Sequence, residues 1–259
     1  MRALDIINII NDFAPCSYQE SWDNSGLIIG DVNREVTSIL IALDCTPCVI
    51  DEAISIGAQM IITHHPLLFK GVKQITPGNI QGRMLIEAIK NDLIVYSVHT
   101  NIDKVINGVS ALMADKLNLQ DRSILSVDSS DNEIGLGIIG SLPASLSPSS
   151  MIVMIKDIFK LSVIKSSKLI NRDINRVAVC GGSGSSLISE AYKKGADLYI
   201  SGDFSYHNFF CEDGIMIMDI GHYESEIAVT NLLMDIILKK IPNFAVRISE
   251  KNANPIYYY

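Results

Sequence analysis

The chain is predicted to be an α/β protein of two related, duplicated domains with a metal site in the cleft between them. Three observations predict this. Strand and helix signals alternate in both halves, which favours mostly parallel pairing. A strand-end motif recurs, as Gly57-Ala-Gln-Met-Ile-Ile-Thr-His64-His65 and as Gly195-Ala-Asp-Leu-Tyr-Ile-Ser-Gly202-Asp203. Each copy is followed by a hydrophobic run ending in His-x-x-x-carboxylate, His99 to Asp103 in the first half and His222 to Glu226 in the second.

The elements follow in order. Met1 to Asp12 reads as an amphipathic helix with Leu4, Ile7, Ile10 and Phe13 near one face. Ser38–Leu43 is a buried strand, and a helix from about Pro47 to Ile56 follows, with proline in its first turn. Gln59–Thr63 and Leu93–Val98 are the next strands. In the second half Arg176–Cys180, a helix to about Lys194, Asp197–Ser201 and Ile215–Ile220 repeat that order.

From the strand alanine (Ala42, Ala178) to the Gly-Ala corner is 15 residues in one half and 17 in the other. From that corner to the third-strand histidine is 42 against 27, so the first half carries an elaborated loop and helix between Pro66 and about Asn91. Ser126 to Asn132 is a polar breaker, and Ser141 to Ser150, rich in serine and proline, reads as a second loop. The predicted domains are therefore 1–125, carrying His64, His65 and Asp103, and 126–259, carrying His207, His222 and Glu226.

Composition narrows the function. With 259 residues, 48% hydrophobic and 19% charged, the chain is long enough to bury a core and is not of disordered composition. A net charge of -8 argues against a nucleic-acid partner, which needs a basic surface. Asp5 and Asn8 interrupt the N-terminal apolar residues, so no signal peptide is read there. No apolar run approaches the roughly 18 residues of a membrane span. Five cysteines, an odd number, suit reduced thiols and a cytoplasmic location.

Neutral imidazole with carboxylate is the ligand set of zinc, iron, manganese or nickel. Thr63-His64-His65-Pro66 closes a strand whose side chains alternate between faces, so adjacent histidines can serve two ions. Pro66 stiffens the turn that presents them. In a helix after each third strand, His99 and Asp103, and His222 and Glu226, would share a face. Glu226 can bridge two metals. His64, His65, Asp103, His222 and Glu226 supply two divalent ions per chain with open positions, which a catalytic site keeps. His99 and His207 are expected beside the metal rather than on it, as the catalytic proton-transfer candidates. Lys70, Lys73 and Arg83 follow His65 and are the candidate contacts to an anionic substrate.

Two motifs compete with this reading. Cys45-Thr-Pro-Cys48 stands between a strand and a helix, the context of a thioredoxin-type dithiol, but the second half has no cysteine pair there. Gly181-Gly-Ser-Gly-Ser-Ser186 suggests a helix N-terminus able to hold an anion, yet it matches neither phosphate-loop pattern. Tight-turn geometry explains it better.

Six segments together resemble the NIF-three-like family, whose members carry the name GTP cyclohydrolase 1 type 2. They are Trp22-Asp-Asn-Ser-Gly-Leu27, Thr63-His-His-Pro66, Ser97-Val-His-Thr-Asn-Ile-Asp103, Val177-Ala-Val-Cys-Gly-Gly-Ser-Gly184, Ser201-Gly-Asp-Phe-Ser-Tyr-His207 and Gly221-His-Tyr-Glu-Ser-Glu226. The resemblance covers nearly the whole chain and implies two related α/β domains around a dinuclear metal site, in the short form without an inserted domain. It also implies a ring-shaped homohexamer. The family's ligands fall on His64, His65, Asp103, His222 and Glu226. The implied reaction opens the guanine imidazole ring of GTP by metal-activated water, with release of formate. The alternatives are a non-catalytic metal-binding or regulatory protein using the same cleft, and a Cys45/Cys48 oxidoreductase.

Overall fold

Caps and apolar periodicity account for the elements in a computed structural model that describes residues 1–129 and 131–259. Ser130, inside the polar breaker, lies outside them. Helix α1 (Ala3–Phe13) buries Ala3, Ile6, Ile7 and Ile10 along one stripe. Then come β1 (Gly26–Ile29), β2 (Ser38–Ala42), α2 (Pro47–Ser55), β3 (Met60–Thr63), α3 (Ile80–Lys90) and β4 (Ile94–Ser97). Thr46 caps α2 by accepting from the Val49 N–H at 3.3 Å, with Pro47 in the first turn. The short α4 (Thr100–Lys104) and α5 (Val109–Lys116) precede a hairpin of β5 (Gln120–Val127) and β6 (Gly135–Leu146). The chain continues through α6 (Pro148–Phe159), β7 (Lys165–Ser166), β8 (Ile174–Ser183), α7 (Ile188–Lys193), β9 (Leu198–Gly202) and β10 (Met216–Asp219). It closes with α8 (His222–Glu226), α9 (Val229–Lys240) and β11 (Ala245–Ile248).

The strands form two sheets, ordered β1-β4-β3-β2-β11 and β5-β6-β8-β9-β10-β7. In the first, β4, β3, β2 and β11 run parallel and β1 is antiparallel. In the second, β8, β9 and β10 are parallel, while β5, β6 and β7 add antiparallel edges. Alternation along β8 sends Val177 and Val179 into the core beneath Met151 and Ile155 of α6, and Ala178 and Cys180 into the opposite core beneath α7. Both faces are covered, so the inner strands read as continuous apolar runs.

The elements segregate into two compact units, Met1–Ile102 with Val229–Pro255, and Asp103–Ala228 with Ile256–Tyr259. Each holds one sheet, and the inner orders β2-β3-β4 and β8-β9-β10 match the repeat in the sequence. The units differ from a single cut near residue 126. The polar breaker there connects β5 to β6, because clustered polar residues mark a turn and carry no information on which unit a turn belongs to. Strand β11 pairs with β2 in the first unit, and Asp103 opens the second.

One segment expected to be a loop and one expected to be a tight turn are strand or helix instead. Ser141–Ser150 is the end of β6 and the start of α6, where Ser147 caps by accepting from the Ser150 N–H at 3.2 Å. The glycine-rich Gly181–Ser183 continues β8. Among the described residues no helix is long and apolar enough to cross a membrane.

Candidate functional site

In the first unit β3 and β4 end in register at Thr63 and Ser97, so the residues beyond both ends meet. The His64, His65 and His99 rings have centroids 4.9 to 5.4 Å apart. One donor atom from each lies within 4.8 Å of the others. Each ring is braced through Nδ1. His64 meets the Val98 carbonyl at 2.8 Å, His65 meets Asp44 Oδ1 at 2.8 Å and His99 meets Asp23 Oδ1 at 2.8 Å. An oxygen at Nδ1 holds the proton there and turns Nε2 into the ring's metal-ligating atom. Thr63 fixes the corner by donating to the His65 carbonyl at 2.8 Å and pairing with Ser97 Oγ at 3.0 Å.

The Asp23 side chain is fully buried. Besides His99 it accepts from the N–H groups of Asn24 and Thr100 and the hydroxyls of Ser25 and Thr100, at 2.5 to 3.1 Å. Burial alone would raise its carboxyl. The hydrogen bonds from His99 and Thr100 outweigh that and hold it far below the usual carboxylate range.

In the second unit α8 is a single turn with His222 at one end and Glu226 at the other, and Nε2 and Oε2 are 2.9 Å apart. His222 is braced in the same way, Nδ1 to Asp203 Oδ2 at 2.7 Å. Asp203 leaves β9 in the left-handed region (φ 56°), which aims its carboxylate back at His222. Asp219, at the end of β10, accepts from the Gly221 N–H at 3.0 Å and the Phe204 N–H at 3.1 Å and pairs with Lys165 at 2.5 Å. It thereby holds both turns that carry the Asp203–His222 pair.

Glu226 is buried at 3% exposure, and glycine makes room for it. Gly182, at φ 63°, donates to Ser225 Oγ at 2.9 Å, and a Cβ there would collide with the Glu226 carboxylate. Close approach, not anion binding, therefore explains the glycine run. Cys180 lies beneath, its thiol pushed up to about 12 by burial and then by the charges of Asp103 and Glu226. The helix bearing Asp103 is anchored by the largely buried Lys104–Asp128 pair at 2.8 Å.

The other expected residues are not members of these donor groups among the described residues. His207 sits on an exposed 3-10 turn against the rings of Tyr206 and Phe210, and joins no donor group among the described residues. Lys70, Lys73 and Arg83 are exposed, and Arg83 donates to the Pro77 carbonyl at 3.2 Å. Cys45 is buried and its thiol is pushed up to about 12, first by burial and then by Asp44, while Cys48 is exposed. A reactive dithiol needs the opposite, an accessible thiol with a lowered pKa. Sequence reasoning assigned no role to Asp23, Asp44, Asp203 or Asp219. The only signal touching any of them was that Asp23 and Asp203 stand inside two of the segments that carry the family resemblance.

The donors, imidazole and carboxylate, suit a borderline divalent ion. The chain is 40% identical to a Clostridium perfringens protein named GTP cyclohydrolase 1 type 2 homolog, over 87% of each chain. A Clostridium acetobutylicum protein of the same name is 36% identical over 98% of each. Among solved structures, Staphylococcus aureus protein SA1388 superposes with a TM-score of 0.90 at 28% identity, covering 100% of this chain and 99% of that one. Reduced HcgD from Methanocaldococcus jannaschii gives 0.80 at 29% identity, covering 96% and 98%. With residues 1–255 matching its model, the chain belongs to the DUF34/NIF3 (NGG1p interacting factor 3) family.

Proposed function

We propose that this chain is a divalent-metal-dependent hydrolase of the GTP cyclohydrolase type, opening the guanine imidazole ring and releasing C8 as formate. The observation that carries the reading is the common bracing of four histidines. The proposed ligands His64, His65 and His222, and His99 in the same donor cluster as His64 and His65, each have Nδ1 against an oxygen, the arrangement that orients an imidazole for metal binding or proton transfer. The names of the clostridial relatives point the same way.

In this reading His64, His65, Asp103, His222 and Glu226 hold two ions per chain, and zinc, iron, manganese and nickel all fit the donors. When bound, such ions supply Lewis acidity and a water acidic enough to act as nucleophile near neutral pH. The protein does the rest. His99, oriented through Nδ1 by Asp23, is the first proton-transfer candidate in this reading. His207 is the second proton-transfer candidate. Lys70, Lys73 and Arg83 offset the triphosphate charge. Assembly as a ring-shaped homohexamer belongs to the same proposal.

The test is formate release from GTP by protein stripped of metal and then reloaded with one metal at a time, beside the Glu226→Ala variant. Metal-restored formate that the variant does not produce is the expected result. No formate with any metal, while the ions still bind, would leave a metal-binding protein and remove the hydrolase.

A further inference from the structure

The only tryptophan of the chain is not in a core. Trp22 is 61% exposed, and so is much of Phe69, at 49%. Both rings stand against His99, with centroids at 6.0 and 5.5 Å and planes turned 76° and 80° from the imidazole. Water-facing aromatic rings are costly unless something covers them, and two beside one imidazole form a ready surface for a flat apolar ligand.

Their placement is rigid. Asp23, next to Trp22, is pinned by five hydrogen bonds to His99, Thr100, Asn24 and Ser25. Ser25 in turn accepts from the His99 N–H at 3.2 Å. Asn24 Nδ2 donates to the Leu68 carbonyl at 2.6 Å, which ties the loop of Trp22 to the loop of Phe69. The two rings are thus fixed before any ligand arrives, so binding does not have to pay for loop ordering. A loop that merely connected α1 to β1 would need neither a fully buried carboxylate nor an exposed indole.

We propose that Trp22 and Phe69 are the binding surface for the planar heteroaromatic ring of the substrate, presenting it to the His64–His65–His99 cluster. The choice of a purine rests on the hydrolase reading above. The rings provide stacking area, and the polar edge of the base faces the imidazoles. Stacking of this kind tolerates any base, so Trp22 and Phe69 hold the ring and other groups select it.

Because Trp22 is the sole tryptophan, its fluorescence reports on this surface alone. Guanosine, GTP and, as controls, ribose 5-phosphate and inorganic tripolyphosphate are titrated into the metal-loaded protein. The expected result is saturable quenching by guanosine and GTP and none by the controls. In Phe69→Ala, guanosine binding should weaken about tenfold, with metal content and melting temperature unchanged. A tryptophan signal blind to guanosine, or a Phe69→Ala variant that binds it as well as the parent, overturns the proposal. Emission already blue-shifted and unresponsive to nucleoside would mark a covered subunit interface and overturn it equally. Quenching without formate release keeps the aromatic surface and removes the cyclohydrolase. Formate release without quenching does the reverse, and absence of both removes both.

Discussion

In the first unit three imidazoles converge on one another, and their braces include a backbone carbonyl and a fully buried carboxylate. In the second a single imidazole faces a carboxylate, and its brace, Asp203, is half exposed. The inner strand order is the same in both, so the difference lies in the residues just beyond the strand ends. His64 and His65 stand where the second unit has Gly202 and Asp203. The brace that the first unit draws from distant residues, the second draws from Asp203, the position that holds the proposed ligand His65 in its twin. The two copies therefore share their strand order and differ in where the imidazoles and the carboxylates that brace them stand.

Space for the buried acid is the most fragile part of the second unit. Gly182→Ala combines a collision with Glu226 and an unfavourable φ of 63°, and is expected to cost about 3 kcal/mol in urea unfolding. Gly57→Ala, at φ 69° with nothing within 4 Å, is the control in the first unit and should cost about 1 kcal/mol. Equal losses would mean that backbone strain, and not the room made for Glu226, is what Gly182 provides.

The braces come next. Asp23→Asn leaves buried donors short of acceptors and should lower stability by about 2 kcal/mol, whereas Asp203→Asn should cost well under 1 kcal/mol. Asp203→Asn should weaken metal binding by about 10- to 100-fold in calorimetric titration, since it removes the outer partner of the proposed ligand His222, whereas Asp23→Asn should leave metal affinity unchanged, because its partner His99 is not among the proposed ligands. The Asp23 carboxyl is depressed in the fold, relative to an unfolded value of about 3.9. Its contribution is therefore complete above that value and is lost as pH falls through the folded one. The stability gap between the parent and Asp23→Asn should narrow below about pH 4 and stay constant above about pH 5. A gap that widens in acid would contradict the role given to Asp23.

The cysteines should matter least. Cys48→Ser is expected to leave formate release unchanged, and Cys45→Ala to lower stability by about 1 kcal/mol without touching activity. Loss of turnover in Cys48→Ser would reopen the dithiol reading.

The parts of this site that were legible in the sequence are those with short, regular spacing. His64-His65 at a strand end and the two His-x-x-x-carboxylate units are local patterns. The braces are not local. His99 and Asp23 are 76 residues apart, and His65 and Asp44 are 21 apart, so no periodicity links them. Inner strands were readable because burial on both faces makes them uniformly apolar. The β5–β6 hairpin was not, because its polar turn residues resemble a domain break, and the return of β11 to β2 was not, because pairing between distant segments leaves no spacing signal. Ser141–Ser150 misled because serine and proline mark loops and helix starts alike, and here they cap α6.

The central claim is that donors from both units serve metal ions. It is tested most directly by counting bound zinc in chelator-treated, zinc-titrated protein, for the parent and for His64→Ala, His65→Ala and Glu226→Ala. The account predicts about two ions per chain in the parent and a loss of at least one in every variant. A parent that binds none, or variants from either unit that bind as many as the parent, would contradict it.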